Sequence, residues 1–205
     1  MKTRIAVLVS GGGTNLQALI DAAGRGEIPH GELSLVVSNN AGAYALQRAA
    51  QAGIPAAVCV REKGEPRPDF EARLLQILRE NDIEMLILAG FMAILSADFV
   101  RHYPERIINV HPALIPSFCG EGFYGLRVHR AALDYGVKVT GATVHYVNEI
   151  PDGGRIIAQK AVDILPGDTP ETLQRRVMEQ AEWILLPRAA ESVAKEILDH
   201  REAPL

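Results

Sequence analysis

Asn109 and His111 stand one residue apart at the end of an apolar run, Ile107-Ile108-Asn109-Val110-His111-Pro112. Side chains alternate faces along a strand, so Asn109 and His111 point the same way and Val110 points opposite. Pro112 has no N–H to give to a ladder and ends the strand. An amide donor beside an imidazole, at a strand end where open α/β sheets take their ligands, suits stabilisation of negative charge developing on oxygen. A core histidine bonded to a backbone carbonyl is the competing reading of His111. Nothing local supplies a carboxylate to orient the imidazole or favour its charged form. Asp152, in the turn Glu149-Ile150-Pro151-Asp152-Gly153-Gly154, is the best-suited candidate, although alone it reads as a turn former.

A second motif lies near the N-terminus, where Ser10-Gly11-Gly12-Gly13-Thr14-Asn15 joins a strand to a helix. Glycines there let backbone N–H groups approach an anion, and the helix N-terminus adds a favourable dipole. The sequence is not a Walker loop, since no Gly-Lys-Ser/Thr follows, and it fits the dinucleotide fingerprint poorly. The next strand ends in Ser38-Asn39 rather than the acid expected for a ribose. A monophosphate site is the preferred reading and a tight turn without a ligand the alternative.

Other candidates carry less. His145 alternates with Thr143 on its strand, and either faces the cleft or serves a structural bond. His129 falls on a helix, while His30, His102 and His200 read as surface positions. Cys119 follows His111 in a glycine-rich loop, but nothing nearby would activate its thiolate. Asp69, Glu71 and Arg73 read as the solvated face of a helix. No His/Cys/carboxylate cluster has metal-ligand spacing, so no metal is expected.

These motifs need a scaffold of alternating strands and helices. Strands are predicted over 4–10, 33–38, 56–60, 85–88 and 107–111. Helices are predicted from Asn15, over 44–52, and over 69–81, where Phe70, Leu74, Leu75 and Leu78 recur at helical spacing. Such alternation implies parallel pairing and right-handed crossovers. The pattern then changes: strands over 140–147 and 155–162 are joined by so short a connection that they must form an antiparallel hairpin. A final helix from Pro170 to about His200 is expected to bend or break near Pro187. The fold class is α/β, a Rossmann-like open, mostly parallel twisted sheet with an antiparallel hairpin in the C-terminal half. One domain is expected over 1–205, with a nucleotide-binding half (1–105) and a catalytic half (106–205).

Bulk properties agree with this. An apolar content of 48% and a formal charge of −4 carry no basic nucleic-acid footprint. No apolar stretch approaches the roughly 20 residues of a membrane helix, so neither nucleic acid nor membrane is expected as a partner. The apolar run after Met1-Lys2-Thr3-Arg4 ends in the glycines with no cleavage-like segment, and reads as a buried strand rather than a signal peptide. Two cysteines, Cys59 and Cys119, suit a reducing cytoplasm.

Taken together, the chain resembles the folate-dependent formyltransferases, from its first strand to the region of Glu182 to Pro187. The resemblance is carried by the 10–15 loop, Ser38-Asn39, Leu88-Ala89-Gly90-Phe91-Met92, Asn109-Val110-His111-Pro112, Gly141-Ala142-Thr143-Val144-His145 and Asp152-Gly153-Gly154. The loop and the chain length match the branch of that family that acts on glycinamide ribonucleotide. The resemblance implies a direct transfer from 10-formyltetrahydrofolate, a co-substrate, to the glycyl amine of glycinamide ribonucleotide in purine biosynthesis. It implies Asn109, His111 and Asp152 as catalytic residues. Gly12, Gly13, Thr14 and Asn15 would hold the substrate phosphate, and Glu182 the sugar. Folate contacts are implied for Arg67, Met92, Ala93, Ile94, Leu95, Asn109, Asn148, Glu149, Ile150, Pro151 and Asp152. The assembly implied is a monomer or a homodimer. Three features depart from the pattern. Ala93 stands where many relatives carry a basic residue, the 117–125 loop is longer than in some members, and Trp183 stands where His is frequent. A hydrolase or a transferase with another acceptor, built on the same trio, is the nearest alternative, and a non-enzymatic nucleotide-binding module the next.

Overall fold

A computed structural model describes residues 1–202, so the last three residues of the expected 1–205 domain lie outside the described residues. Seven strands form one sheet: β1 (Thr3–Val9), β2 (Gly31–Ser38), β3 (Ala56–Val58), β4 (Met85–Leu88), β5 (Ile107–His111), β6 (Val139–Tyr146) and β7 (Ile156–Asp163). Their order is β3-β2-β1-β4-β5-β6-β7. Pairing is parallel from β3 across to β5 and antiparallel for β5–β6 and β6–β7. The helices are α1 (Thr14–Gly24), α2 (Tyr44–Gln51), α3 (Arg67–Glu80), α4 (Ala97–Val100), α5 (Leu126–Tyr135), α6 (Pro170–Val177) and α7 (Trp183–Glu202). Among the described residues no helix is long and apolar enough to cross a membrane.

Strand alternation divides the core in two. Ile5, Val7 and Val9 face α1, α2, α6 and α7, whereas Ala6 and Leu8 face Phe70, Leu74 and Leu78 of α3 and Phe99 of α4. Each of the fully buried large side chains on α3 contributes about 1.5–3 kcal/mol to holding it there. The row Leu8–Leu88–Asn109–His145 runs straight across four strands. Strand order reverses between β1 and β4, so the loops after β1, β4 and β5 open onto one crevice.

Two expectations are corrected. The final helix does not break at Pro187, which lies inside α7; the irregularity is a π-helical turn, Met178–Glu182. An extra residue in one turn rotates the downstream helix by about 100°, and that turn buries both Ala181 and Glu182. Glu71 is not on a solvated face: it is buried, and its carboxylate accepts from the backbone N–H (2.7 Å) and the hydroxyl of Ser96.

Candidate active site

Asn109 and His111 share the face of β5 opposite Val110, and β6 presents His145 and Thr143 directly across from them. Thr143 secures the chain after His111, donating to the Ala113 carbonyl (2.7 Å) and accepting from the Ile115 N–H (3.1 Å). Asp152 arrives from the β6–β7 connection. Gly154 permits this: a Cβ there would lie 1.7 Å from the Tyr146 carbonyl oxygen. Asp152 Oδ2 lies 3.4 Å from His111 Nδ1 and accepts from the Gly120 N–H at 2.9 Å. Its Oδ1 lies 3.4 Å from Asn109 Nδ2 and 3.6 Å from His145 Nε2. The structure thus brings Asn109, His111 and Asp152 together.

Hydrogen-bond logic fixes the proton positions. His145 Nδ1 donates to the Tyr146 carbonyl (2.8 Å), which leaves Nε2 to accept from the Asn109 amide at 3.1 Å. The same amide nitrogen donates to Asp152 Oδ1 over a longer 3.4 Å. His111 faces acceptors on both sides, the Phe118 carbonyl at 2.9 Å from Nε2 and Asp152 beyond Nδ1. The neutral ring donates from Nε2 to the Phe118 carbonyl, and only the imidazolium would also offer Asp152 a donor at Nδ1. Burial holds the His111 pKa below the ordinary histidine value, and Asp152 and the Phe118 carbonyl offset that lowering only in part. Burial alone would raise the Asp152 carboxyl, yet the nearby His111 and the Gly120 N–H help bring it below the ordinary carboxylate range. Burial and Asp152 raise the Cys119 thiol, which keeps it protonated and unreactive.

The glycine loop forms the other end of the crevice. Gly13 caps α1 in the left-handed region (φ 72°, ψ 33°), with no side-chain cap and no acidic residue in the first turn. The helix N-terminus is therefore left open for an anion. Asn15 does not act as the cap. Its Nδ2 donates to Glu182 Oε2 at 2.7 Å, and its buried Oδ1 has no partner. Glu182 is 6% exposed, and burial pushes its pKa up to about 7 against the lowering effect of the Asn15 amide.

The family model described as formyl transferase matches residues 3–189, most of the chain. The chain belongs to the formyl transferase family. It is 40% identical over 177 residues to a phosphoribosylglycinamide formyltransferase of Haemophilus influenzae, covering 86% of this chain and 81% of that protein. It is 44% identical over 202 residues to the trifunctional purine biosynthetic protein adenosine-3 of Gallus gallus, covering 98% of this chain and 19% of that protein. The chain thus spans about a fifth of that relative's length. Among solved structures it is similar to a phosphoribosylglycinamide formyltransferase from Coxiella burnetii, with a TM-score of 0.86 and 41% identity over 96% of this chain and 89% of that one.

In this formyl transferase a cleft of about 510 Å³ opens over Asn109 and His111, lined also by Met92, Ala93, Ile94, Pro151, Asp152 and the 120–125 loop. That volume suits a ligand of drug-like size. Leu95 points elsewhere, into the core beside Phe99. Arg67, at the start of α3, and Glu149 and Ile150, in the hairpin turn, are exposed outside the lining, and Asn148 Oδ1 accepts from the Ile150 N–H at 3.0 Å. Sequence reasoning missed two supports of the 92–95 segment. Ser10 Oγ accepts from the Met92 N–H (2.8 Å), and Glu71 holds Ser96. It left the role of His145 open, and only the strand register decides it.

Proposed function

We propose that the chain transfers the formyl group of 10-formyltetrahydrofolate to the glycyl amine of glycinamide ribonucleotide, a step of purine biosynthesis. The observation that carries this reading is the contact of Asp152 with both His111 and Asn109 in a cleft one strand away from the glycine loop. The phosphate sits on the N–H groups of residues 11–15, with Gly12, Gly13, Thr14 and Asn15 as its seat, and Glu182 accepts from the sugar hydroxyls. Met92, Ala93 and Ile94 form one wall for the folate, with Pro151 and Asp152 opposite. Arg67 stands outside that wall and reaches the folate only at its far end.

The amine attacks the formyl carbon, and a C–N bond forms as the carbonyl electrons move to oxygen. Asn109 donates to the oxyanion in exchange for its longer contact, the 3.4 Å bond to Asp152. His111 donates from Nε2, which exchanges the Phe118 carbonyl for the formyl oxygen, and Asp152 holds the imidazolium through Nδ1. The attacking nitrogen then loses a proton and N10 gains one as the C–N10 bond breaks, which regenerates the enzyme and releases tetrahydrofolate.

Absorbance-monitored transfer with both substrates tests this. Folate release should require the ribonucleotide. Release without it would make the chain a hydrolase, and phosphate binding without any turnover would reduce it to a binding module.

A further inference from the structure

The peptide groups of the glycine loop are oriented from behind. The Ser10 carbonyl accepts from Asn40 Nδ2 (3.2 Å), the Gly11 carbonyl from the Ala45 N–H (3.1 Å) and the Gly12 carbonyl from Arg48 Nε (2.8 Å). In a planar trans peptide the N–H points opposite the carbonyl of the same unit. Each tether therefore turns one N–H, those of Gly11, Gly12 and Gly13, away from the 40–48 segment that holds the carbonyls. Among the described residues these three N–H groups have no backbone acceptor. The loop lies so close to α2 that a Cβ on Gly13 would sit 2.7 Å from Ala45 Cβ.

Of the three tethers only Arg48 comes from a long side chain, and it is itself clamped. Its second nitrogen donates to Gln17 Oε1 of α1 (2.9 Å), and its guanidinium lies over the Tyr44 ring, 5.0 Å from the centroid. Two of its donor nitrogens are thus spent on protein acceptors. What they fix is the plane of the Gly12–Gly13 peptide.

We propose that Arg48 is a positioning residue for the phosphate seat: its bond to the Gly12 carbonyl aims the Gly13 N–H at the substrate phosphate. This rests on the phosphate assignment of the proposed function. A lysine at 48 keeps the charge but not the fork that spans Gly12 and Gln17, so the two contributions separate.

Titration calorimetry with ribose 5-phosphate compares wild type, Arg48→Met and Arg48→Lys, with thermal melts confirming that each is folded. Both variants should bind about ten-fold more weakly, as expected for losing an oriented, charge-assisted contact. In turnover the ribonucleotide KM should rise by a similar factor, with the formyl-donor KM unchanged. The dephosphorylated acceptor, glycinamide riboside, should show no difference between wild type and variant. Wild-type affinity in Arg48→Lys would overturn the inference in favour of simple charge. Equal losses with ribonucleotide and riboside would overturn it in favour of a general structural defect. Failure of wild type to bind ribose 5-phosphate would sink the phosphate seat and Arg48 with it. Phosphate binding without formyl transfer would remove the proposed reaction and leave the calorimetric result on Arg48 standing.

Discussion

In the proposed reaction the two ends of the crevice handle negative charge by opposite means. At the glycine loop the backbone carbonyls of Ser10 and Gly12 are tied down by the side chains of Asn40 and Arg48, and in the proposed reaction the peptide N–H groups take the phosphate. At the β5 end the side chains face the cleft, and Asp152 joins His111, Asn109 and His145 into one network. The difference teaches where each end is vulnerable. A backbone site is broken by adding atoms, and a side-chain network by removing them.

The largest effects should come from the side-chain end. His111→Ala and Asn109→Ala each remove an oxyanion donor and should lower kcat on the order of 100-fold or more. The loss should appear at saturating concentrations of both substrates, with melting temperatures near wild type. Turnover within a few-fold of wild type in either variant would break the comparison, because the network would then be structural only.

The backbone end calls for the opposite substitution. In Gly13→Ala the new methyl meets Ala45 Cβ and Cα at 2.7 and 2.9 Å, at a φ of +72°. The left-handed strain alone costs about 1–2 kcal/mol, and displacement of the loop should raise the ribonucleotide KM about ten-fold or more. Gly12→Ala is the control. A Cβ on Gly12 meets nothing within 4 Å, so stability should match wild type. Equal melting temperatures for the two variants would show that the loop is not seated on α2.

How far these differences could be read from the sequence depends on range. The β4 and β5 strands were legible to the residue, because each is an apolar run too short for a helix and is closed off by Gly90 or Pro112. Asn109 and His111 were legible as a same-face pair for the same reason. The Asp152 contact depends on the β6–β7 connection folding back past Tyr146, which no local pattern specifies. Glu71 looked solvated because its partner, Ser96, lies 25 residues away. The bend assigned to Pro187 belongs to the π-helical turn before it, which is associated with a tertiary bond from Asn15 to Glu182 rather than with any helix-breaking residue.

Glu182 sharpens the comparison through pH. Its folded pKa is raised to about 7 from an ordinary value of 4.5, so the folded state holds the proton more tightly than the unfolded chain. The stability it contributes is complete below the unfolded value and is lost as pH rises through about 7. Sugar hydroxyls donate to the ionised carboxylate, so the ribonucleotide KM should fall by a few-fold over the same rise. Glu182→Gln should flatten both trends, and the difference between variant and wild type removes the titration of the substrate phosphate itself. A wild-type stability curve that is level between pH 5 and pH 8, measured against the variant, would place the carboxylate in water rather than in the core.

The smallest expected effect lies between the two ends. The 92–95 segment is hung from the glycine loop through Ser10 and from α3 through Glu71. Glu71→Ala leaves the Ser96 N–H without its acceptor, and the lost charge-assisted bonds should lower stability by about 1–3 kcal/mol. Because Met92, Ala93 and Ile94 form a wall of the cleft over Asn109 and His111, the formyl-donor KM should rise a few-fold. The ribonucleotide KM and kcat should stay near wild type. Glu71→Gln keeps one acceptor oxygen and should recover most of the donor KM. A parallel rise in both KM values would mean that the Ser10–Met92 bond transmits the loss to the phosphate seat, so that the backbone end and the side-chain end yield as one unit.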